Sequence, residues 1–437
     1  MTLAVDEPTG SLVTVRPGRP LGGTVSVDGS KNAALPLLAA AAATGRTVQL
    51  SNVPRITDVD TMLTLLERSG YRLTRPVADP RALVLMPHSG RLPVPELPEA
   101  ARIRASYYLV PALLASCRQA ALPWPGGCRI GDRGMNQHFK VYAAFGDKVE
   151  VDDAGYRITV AEHGPREVML DLPFRSRGAS VVAVLRAVIS DRRLLLGNPN
   201  HSPEFTGMLA ALRQAGWQLD LGTAALVVAP PIKGRTEAVA WPVPGGKIEA
   251  GTLACAIAAT RGSGRIEGVR GEDAAPVIEA LNQLGLPASA QPDALVVHGG
   301  GRLTGAPLRA VASLAPGGLD ADFEPALMAL ALNLPGTHLF ADSINPGRHG
   351  NLLPQLARLG AQIDALTPTQ CRLTGPQRLT GAPVQATDIR TGSALLIAAL
   401  TARGSTTISG LDQLRRGYPD LPGKLRSLGG DIREAGR

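Results

Sequence analysis

A glycine that closes a helical pattern returns along this chain at steps of about 70 residues, at Gly70, Gly146, Gly216, Gly285, Gly360 and Gly429. Most follow an amphipathic run such as Leu281-Asn282-Gln283-Leu284-Gly285 or Leu356-Ala357-Arg358-Leu359-Gly360. Glycine adopts the left-handed conformation that ends a helix at little steric cost, so each marks a helix C-terminus. Ahead of each lie an apolar helical run, a polar or Gly turn and a β-type run. In the first unit these are 32–43, 47–50 and 59–70, and in the third 180–189, 194–197 and 207–216. The second unit has 106–116, a Pro/Gly-rich loop and 139–146, and later units span 251–285, 323–360 and 393–429. Alternating runs such as Thr24-Val25-Ser26-Val27 and Ala294-Leu295-Val296-Val297 predict strands between them. Two helices and about four strands, repeated six times, specify an α/β protein of pseudo-symmetric modules. A solenoid fits less well, because units this long can close into subdomains.

At 437 residues with 44% apolar content, the chain can bury a large core in two or three domains. Residues 1–17 carry Asp6 and Glu7 and no basic, then apolar, leader pattern, so no signal peptide is expected. The longest apolar runs, such as 33–43, are too short to span a bilayer, and a cytoplasmic protein without membrane partners is expected. Cys117, Cys128, Cys255 and Cys371 are far apart with no CxxC pair, against both a disulfide framework and a zinc site. The seven histidines show no metal-ligand spacing. A net charge of +8 suits an anionic partner, but Arg is spread rather than clustered and aromatics make up only 3%. That combination argues against nucleic acid and for a small anionic substrate.

The segment Leu122-Pro123-Trp124-Pro125-Gly126-Gly127-Cys128-Arg129-Ile130-Gly131-Asp132-Arg133 reads as a surface loop, since Gly and Pro resist helix and central-strand geometry. Neighbouring cations lower a thiol pKa from its usual value of about 8.5, which makes Cys128 a candidate nucleophile; a structural Cys in a turn is the alternative. Lys31 opens an apolar helix whose N-terminal amides and dipole favour an anion. Asn32 beside it reads either as a reacting-group contact or as a plain helix cap.

Together, Gly29-Ser30-Lys31-Asn32-Ala33-Ala34-Leu35-Pro36, Asn52-Val53-Pro54 with Asp58-Val59, Arg104-Ala105-Ser106, Pro125-Gly126-Gly127-Cys128, Gly131 with Arg133 and His138, Thr387-Asp388-Ile389-Arg390 and Arg416-Gly417-Tyr418 resemble the enolpyruvyl transferase family, in its UDP-N-acetylglucosamine 1-carboxyvinyltransferase (MurA) type. The resemblance runs from about Leu21 to Ile432. It implies the two-domain inside-out α/β barrel fold of six βαβαββ-like units, with one domain at 31–245, the other at 1–30 plus 246–437, and the active site in the cleft between them.

The implied reaction moves the enolpyruvyl group of phosphoenolpyruvate to a hydroxyl of a uridine nucleotide, by addition and then loss of phosphate. It calls for no metal or organic cofactor. Donor anions need fixed cations, best supplied by Arg where planar bidentate contact matters. The resemblance assigns that role to Lys31, Arg104, Arg133, Arg390 and Arg416, with Cys128, Asp322, Lys31 and Asn32 as catalytic residues. Asp320 competes with Asp322 as the base, Arg348 with His349 for a further family arginine, and Asp388 either supports the catalytic lysine or hinge region or makes a structural salt bridge. Cys128 is expected on a lid over the donor and to be alkylated by fosfomycin, an epoxide that mimics it.

Acceptor contacts are assigned to Arg133, Gly134, Met135, Asn136, Arg175, Ser176, Arg177, Gly178 and Asp322, and here the chain departs from the pattern. The family's uridine-binding Arg-Pro-Val-Asp is here Arg133-Gly134-Met135-Asn136, its diphosphate-contacting Ser-Val-Gly is Ser176-Arg177-Gly178, its Pro-Thr-Asp is Asp320-Ala321-Asp322, and its Pro-Asp-Arg at the second crossover is replaced by Pro244-Gly245-Gly246-Lys247. UDP-N-acetylglucosamine is the default acceptor; the added cations suggest a smaller nucleotide, UMP, as in enzymes of nucleoside-antibiotic pathways. A non-catalytic nucleotide-binding homologue and a shikimate-phosphate enzyme are weaker readings.

Overall fold

The computed structural model describes residues 12–128, 130–131, 134–190, 192–230 and 238–435. Two hydrophobic cores form, one from residues between Ala33 and Val243, the other from Val13–Val27 together with Ile248–Ile432. The most apolar helical segments become their centres. Every residue from Ala33 to Ala43 is buried in the helix Lys31–Ala43, and all thirteen are buried in Lys247–Ala259. Arg177–Val188 and Ile389–Ala399 are buried nearly throughout. A helix apolar on all sides belongs inside, whereas a one-sided stripe, as in Thr57–Arg68 and Arg348–Arg358, suits a helix with a solvent face.

Six sheets enclose these helices among the described residues. Two follow the βαβαββ order directly: Glu167–Asp171 pairs parallel with Arg193–Gly197, and Arg309–Val311 parallel with Gly336–Ala341, each extended by an antiparallel hairpin. Two others exchange their first strand. Gly22–Ser26 pairs with Ser263–Glu267 of the second domain, but the helix it feeds, Lys31–Ala43, lies in the first. Val239–Pro242 pairs with Val48–Ser51 of the first domain and feeds Lys247–Ala259 in the second. The chain therefore crosses twice, and the crossings run antiparallel through a Gly29–Gly245 bridge. Ser30 N donates to Pro244 O at 2.7 Å, and Gly246 N to Asp28 O at 2.8 Å. Glycine is required at this point: a Cβ on Gly29 would collide with the Asn52 carbonyl, and one on Gly245 with that of Gly268.

The six unit-closing glycines all have positive φ, between +80° and +102°. The second unit differs from its expected reading, because its sheet has three strands, and Leu122 and Pro123 end the strand Gln119–Pro123 rather than opening a loop. Among the described residues that strand pairs only with Gly155–Thr159, at an edge where a proline's missing N–H is tolerated. Among the described residues no helix is long and apolar enough to cross a membrane.

Candidate active site

A cleft of about 750 Å³ opens between the two cores, with walls from both. At one end Asp58, only 4% exposed, joins the domains. Its carboxylate lies 2.5 Å from Lys31 Nζ and accepts from Arg416 Nε at 3.0 Å. Lys31 starts its helix; Ser30, the N-cap, makes no side-chain cap bond, so the first-turn amides lack the usual hydroxyl acceptor. Asn32 lines the cleft one residue later, and Pro36 supplies no N–H to the Asn32 carbonyl, leaving that oxygen without its helical donor.

The Cys128 segment closes this end. Arg416 Nη1 lies 3.4 Å from Cys128 Sγ, and Cys128 packs against the second domain's core. Gly347 N donates to Ile130 O at 2.9 Å, while Gly131, at φ +110°, allows backbone contact with Pro346 and Gly347. Gly127, at φ +101°, lets the loop lie against Arg104, whose guanidinium sits 5.9 Å from the Tyr107 ring centroid. The Cys128 segment thus touches residues of both domains. Burial and then the Arg104 charge push the His138 pKa down to about 3, so this ring is neutral at any ordinary pH.

Deeper in the cleft Asp322 bridges two arginines, accepting from Arg348 Nη2 and Arg390 Nη2, each at 2.9 Å. Burial alone would raise its pKa, but Arg390 and Arg348 hold it well below the usual carboxylate range. Arg390 also donates to Tyr418 Oη at 2.7 Å. Of the two candidates at the family arginine position, Arg348 faces the cleft; His349 Nε2 lies 2.8 Å from buried Glu324. Asp388 caps the helix Ile389–Ala399, accepting from the amides of Arg390 and Thr391. It holds the backbone amide of Arg390, and the carboxylate beside Lys31 is that of Asp58.

A second cluster of charges in the cleft is built around Asp320. Its Oδ2 lies 2.9 Å from Arg177 Nη2 and 3.3 Å from Lys247 Nζ, and its Oδ1 accepts from Asp322 N at 3.1 Å. Lys247 Nζ is also 3.3 Å from buried Glu204. Burial opposes both charges, yet Lys247 and Arg177 bring Asp320 down to about 2, and Asp320 and Glu204 raise Lys247. Three departures from the family pattern, Arg177, Asp320 and Lys247, therefore meet in one interdomain network. Ser176 caps the helix Arg177–Val188, and a Cβ on Gly178 would come within 2.6 Å of His138 Nε2 and Tyr107 Oη.

The remaining assigned residues divide. Gly134 lines the cleft, Met135 is buried in the first core, and Asn136 is exposed at the start of its helix and away from the cleft lining. Arg175 is outside the lining and offers its carbonyl to Asn200 Nδ2 at 3.0 Å. Arg133 lies outside the described residues. Lys247 and Glu204 were not assigned roles from sequence. The signal for Lys247 was available: it follows Gly246 at the second crossing as Lys31 follows Ser30 at the first. Glu204 carried none, since its partner is 43 positions away.

A family profile described as EPSP synthase (3-phosphoshikimate 1-carboxyvinyltransferase) matches residues 15–425. The chain is 34% identical to UDP-N-acetylglucosamine 1-carboxyvinyltransferase 3 of Symbiobacterium thermophilum over 423 residues, 96% of each chain. It is 32% identical to UDP-N-acetylglucosamine 1-carboxyvinyltransferase of Zymomonas mobilis over 432 residues, 97% of this chain and 99% of that one. Among solved structures, the enolpyruvyl transferase NikO from Streptomyces tendae superposes with TM-score 0.84 at 24% identity, covering 98% of this chain and 99% of NikO. EPSP synthase from Acinetobacter baumannii gives 0.74 at 16% identity, covering 98% and 100%. At these identities the structural likeness speaks for the two-domain fold.

Proposed function

This chain belongs to the EPSP synthase family of enolpyruvyl transferases, and we propose that it moves the enolpyruvyl group from phosphoenolpyruvate to a hydroxyl of a uridine nucleotide with release of phosphate. The observation that carries this reading is the convergence in one cleft of Lys31, Arg416 and Cys128 at one end with Asp322, Arg348 and Arg390 at the other.

The acceptor oxygen bonds to C2 of the donor while its proton passes to a base, and C3 gains a proton to become a methyl group. Loss of a C3 proton and of phosphate from C2 then restores the double bond. Asp322 is the base nearest the paired arginines. They make it a weak base, so a donor carboxylate that draws Arg390 or Arg348 away raises its basicity as the reactants assemble. Lys31 and Arg416 receive the phosphate, and the Cys128 loop keeps water from the phosphorylated intermediate.

The relatives named for UDP-N-acetylglucosamine support that acceptor. A specific feature favours UMP as a second reading: Arg177 opens the Arg177–Val188 helix and lines the cleft with its side chain 27% exposed, so a guanidinium and the helix N-terminus lie together, suited to a terminal phosphate. Phosphate release measured with phosphoenolpyruvate and each acceptor in parallel distinguishes them. Turnover of UDP-N-acetylglucosamine alone selects the first reading, turnover of UMP alone the second, and release with neither overturns the function.

A further inference from the structure

The run expected to read the uridine presents only Gly134 to the cleft among its described residues, because Met135 is buried and Asn136 is exposed outside the lining. A different side chain occupies the rim nearby. Phe174 is 48% exposed, and of the exposed large hydrophobic side chains among the described residues it alone lines the cleft. A phenyl ring half exposed at the mouth of a ligand cleft offers a π face on which a flat ring can stack.

Its backbone is held on both sides. Asn198 Nδ2 donates to Leu172 O at 3.0 Å, Asn200 Nδ2 to Arg175 O at 3.0 Å, and Ser176 N to Phe174 O at 2.6 Å. The ring therefore projects from a fixed turn and loses little freedom when a ligand covers it. Immediately after it come Ser176 and the N-terminus of the twelve-residue helix Arg177–Val188, with Arg177 facing the cleft. Arg177 gives Nη2 to Asp320 while its side chain stays 27% exposed, so part of that guanidinium is still open to an anion. A flat apolar face next to an anion-binding helix end matches the two halves of a nucleotide, base and phosphate.

We propose that Phe174 is a specificity-determining residue that stacks on the pyrimidine of the acceptor while the helix end beside it takes the acceptor phosphate. This rests on the uridine-nucleotide reading above, and calorimetric binding separates the two. Wild type and the variants F174A, F174L and F174Y are titrated with UMP and with ribose 5-phosphate, which keeps sugar and phosphate but has no base.

UMP is expected to bind wild type at least tenfold more tightly than ribose 5-phosphate. F174A should lose that advantage without changing ribose 5-phosphate binding, F174Y should keep it, and F174L should resemble F174A. Equal UMP affinity in wild type and F174A overturns the proposal, as does F174L matching F174Y, since apolar cover without a π face would then suffice. Wild type that does not prefer UMP over ribose 5-phosphate also overturns it. Absence of turnover with intact, Phe174-dependent UMP binding counts against the proposed reaction instead.

Discussion

The helices Lys31–Ala43 and Lys247–Ala259 have the same length, the same first residue and equivalent places after the two crossings, yet their lysines meet different surroundings. Lys31, with its side chain 16% exposed, shares Asp58 with Arg416 beneath the Cys128 loop. Lys247, 8% exposed, lies between two carboxylates, Glu204 from the first domain and Asp320 from the second. One end holds two cations and a thiol against a single carboxylate, so it retains charge for an anion. The other is balanced by Arg177 and Lys247 against Asp320 and Glu204, and ties the domains together. A repeated fold thus made two similar helix starts, and only one keeps more cations than carboxylates among its ion pairs.

The contrast breaks most sharply at the thiol. Fosfomycin should add once to wild type and not at all to C128S, read by intact mass; wild type that stays unmodified while it binds phosphoenolpyruvate would remove Cys128 from the reacting end. The lysines come next. K31M is expected to lower kcat by about a hundredfold or more, the loss typical of removing a charge-stabilising donor, whereas K247M should keep kcat within about tenfold. If K247M is as inactive as K31M in phosphate release, the division of roles between the two ends is wrong.

Stability should show the reverse order. K247M leaves Glu204 buried and unpaired, and breaking a buried pair costs about 3 kcal/mol or more in urea unfolding. The double variant K247M/E204L should recover much of that loss, because two apolar side chains remove both desolvation penalties. No recovery would mean that Lys247 acts mainly through Asp320.

The smallest effect is in acid. Asp320 has a folded pKa of about 2 against an ordinary 3.8, so its contribution is complete above pH 3.8 and is lost as pH falls through about 2. That contribution is on the order of 2 kcal/mol, and D320N should flatten the stability curve over this window alone. An unchanged slope between pH 4 and 2 would show that the network does not hold Asp320 ionised.

Some of this was legible from local sequence. The six closing glycines were, since a left-handed helix end depends on a few neighbouring residues, and all six have positive φ. The choice between Arg348 and His349 was not. Adjacent helical residues point about 100° apart, so one turns to the cleft and the other to Glu324, and the helix must be placed before the facing residue is known. The arginines looked scattered along the chain, yet Arg104, Arg177, Arg348, Arg390 and Arg416 line one cleft. Phe174 carried no signal, because an exposed aromatic means little until its neighbours are known.

By itself, the sequence determined the repeated unit, the two-domain α/β fold and the family, because periodicity, helix ends and ordered motifs are properties of short segments. Tertiary structure alone decided which charges meet. Asp58 reaches Arg416 across 358 positions and Arg177 reaches Asp320 across 143, and Coulomb attraction depends on distance in space rather than along the chain. For the same reason only the folded chain distinguishes the two lysines: both open an apolar helix, and the carboxylates around them arrive from elsewhere in the sequence.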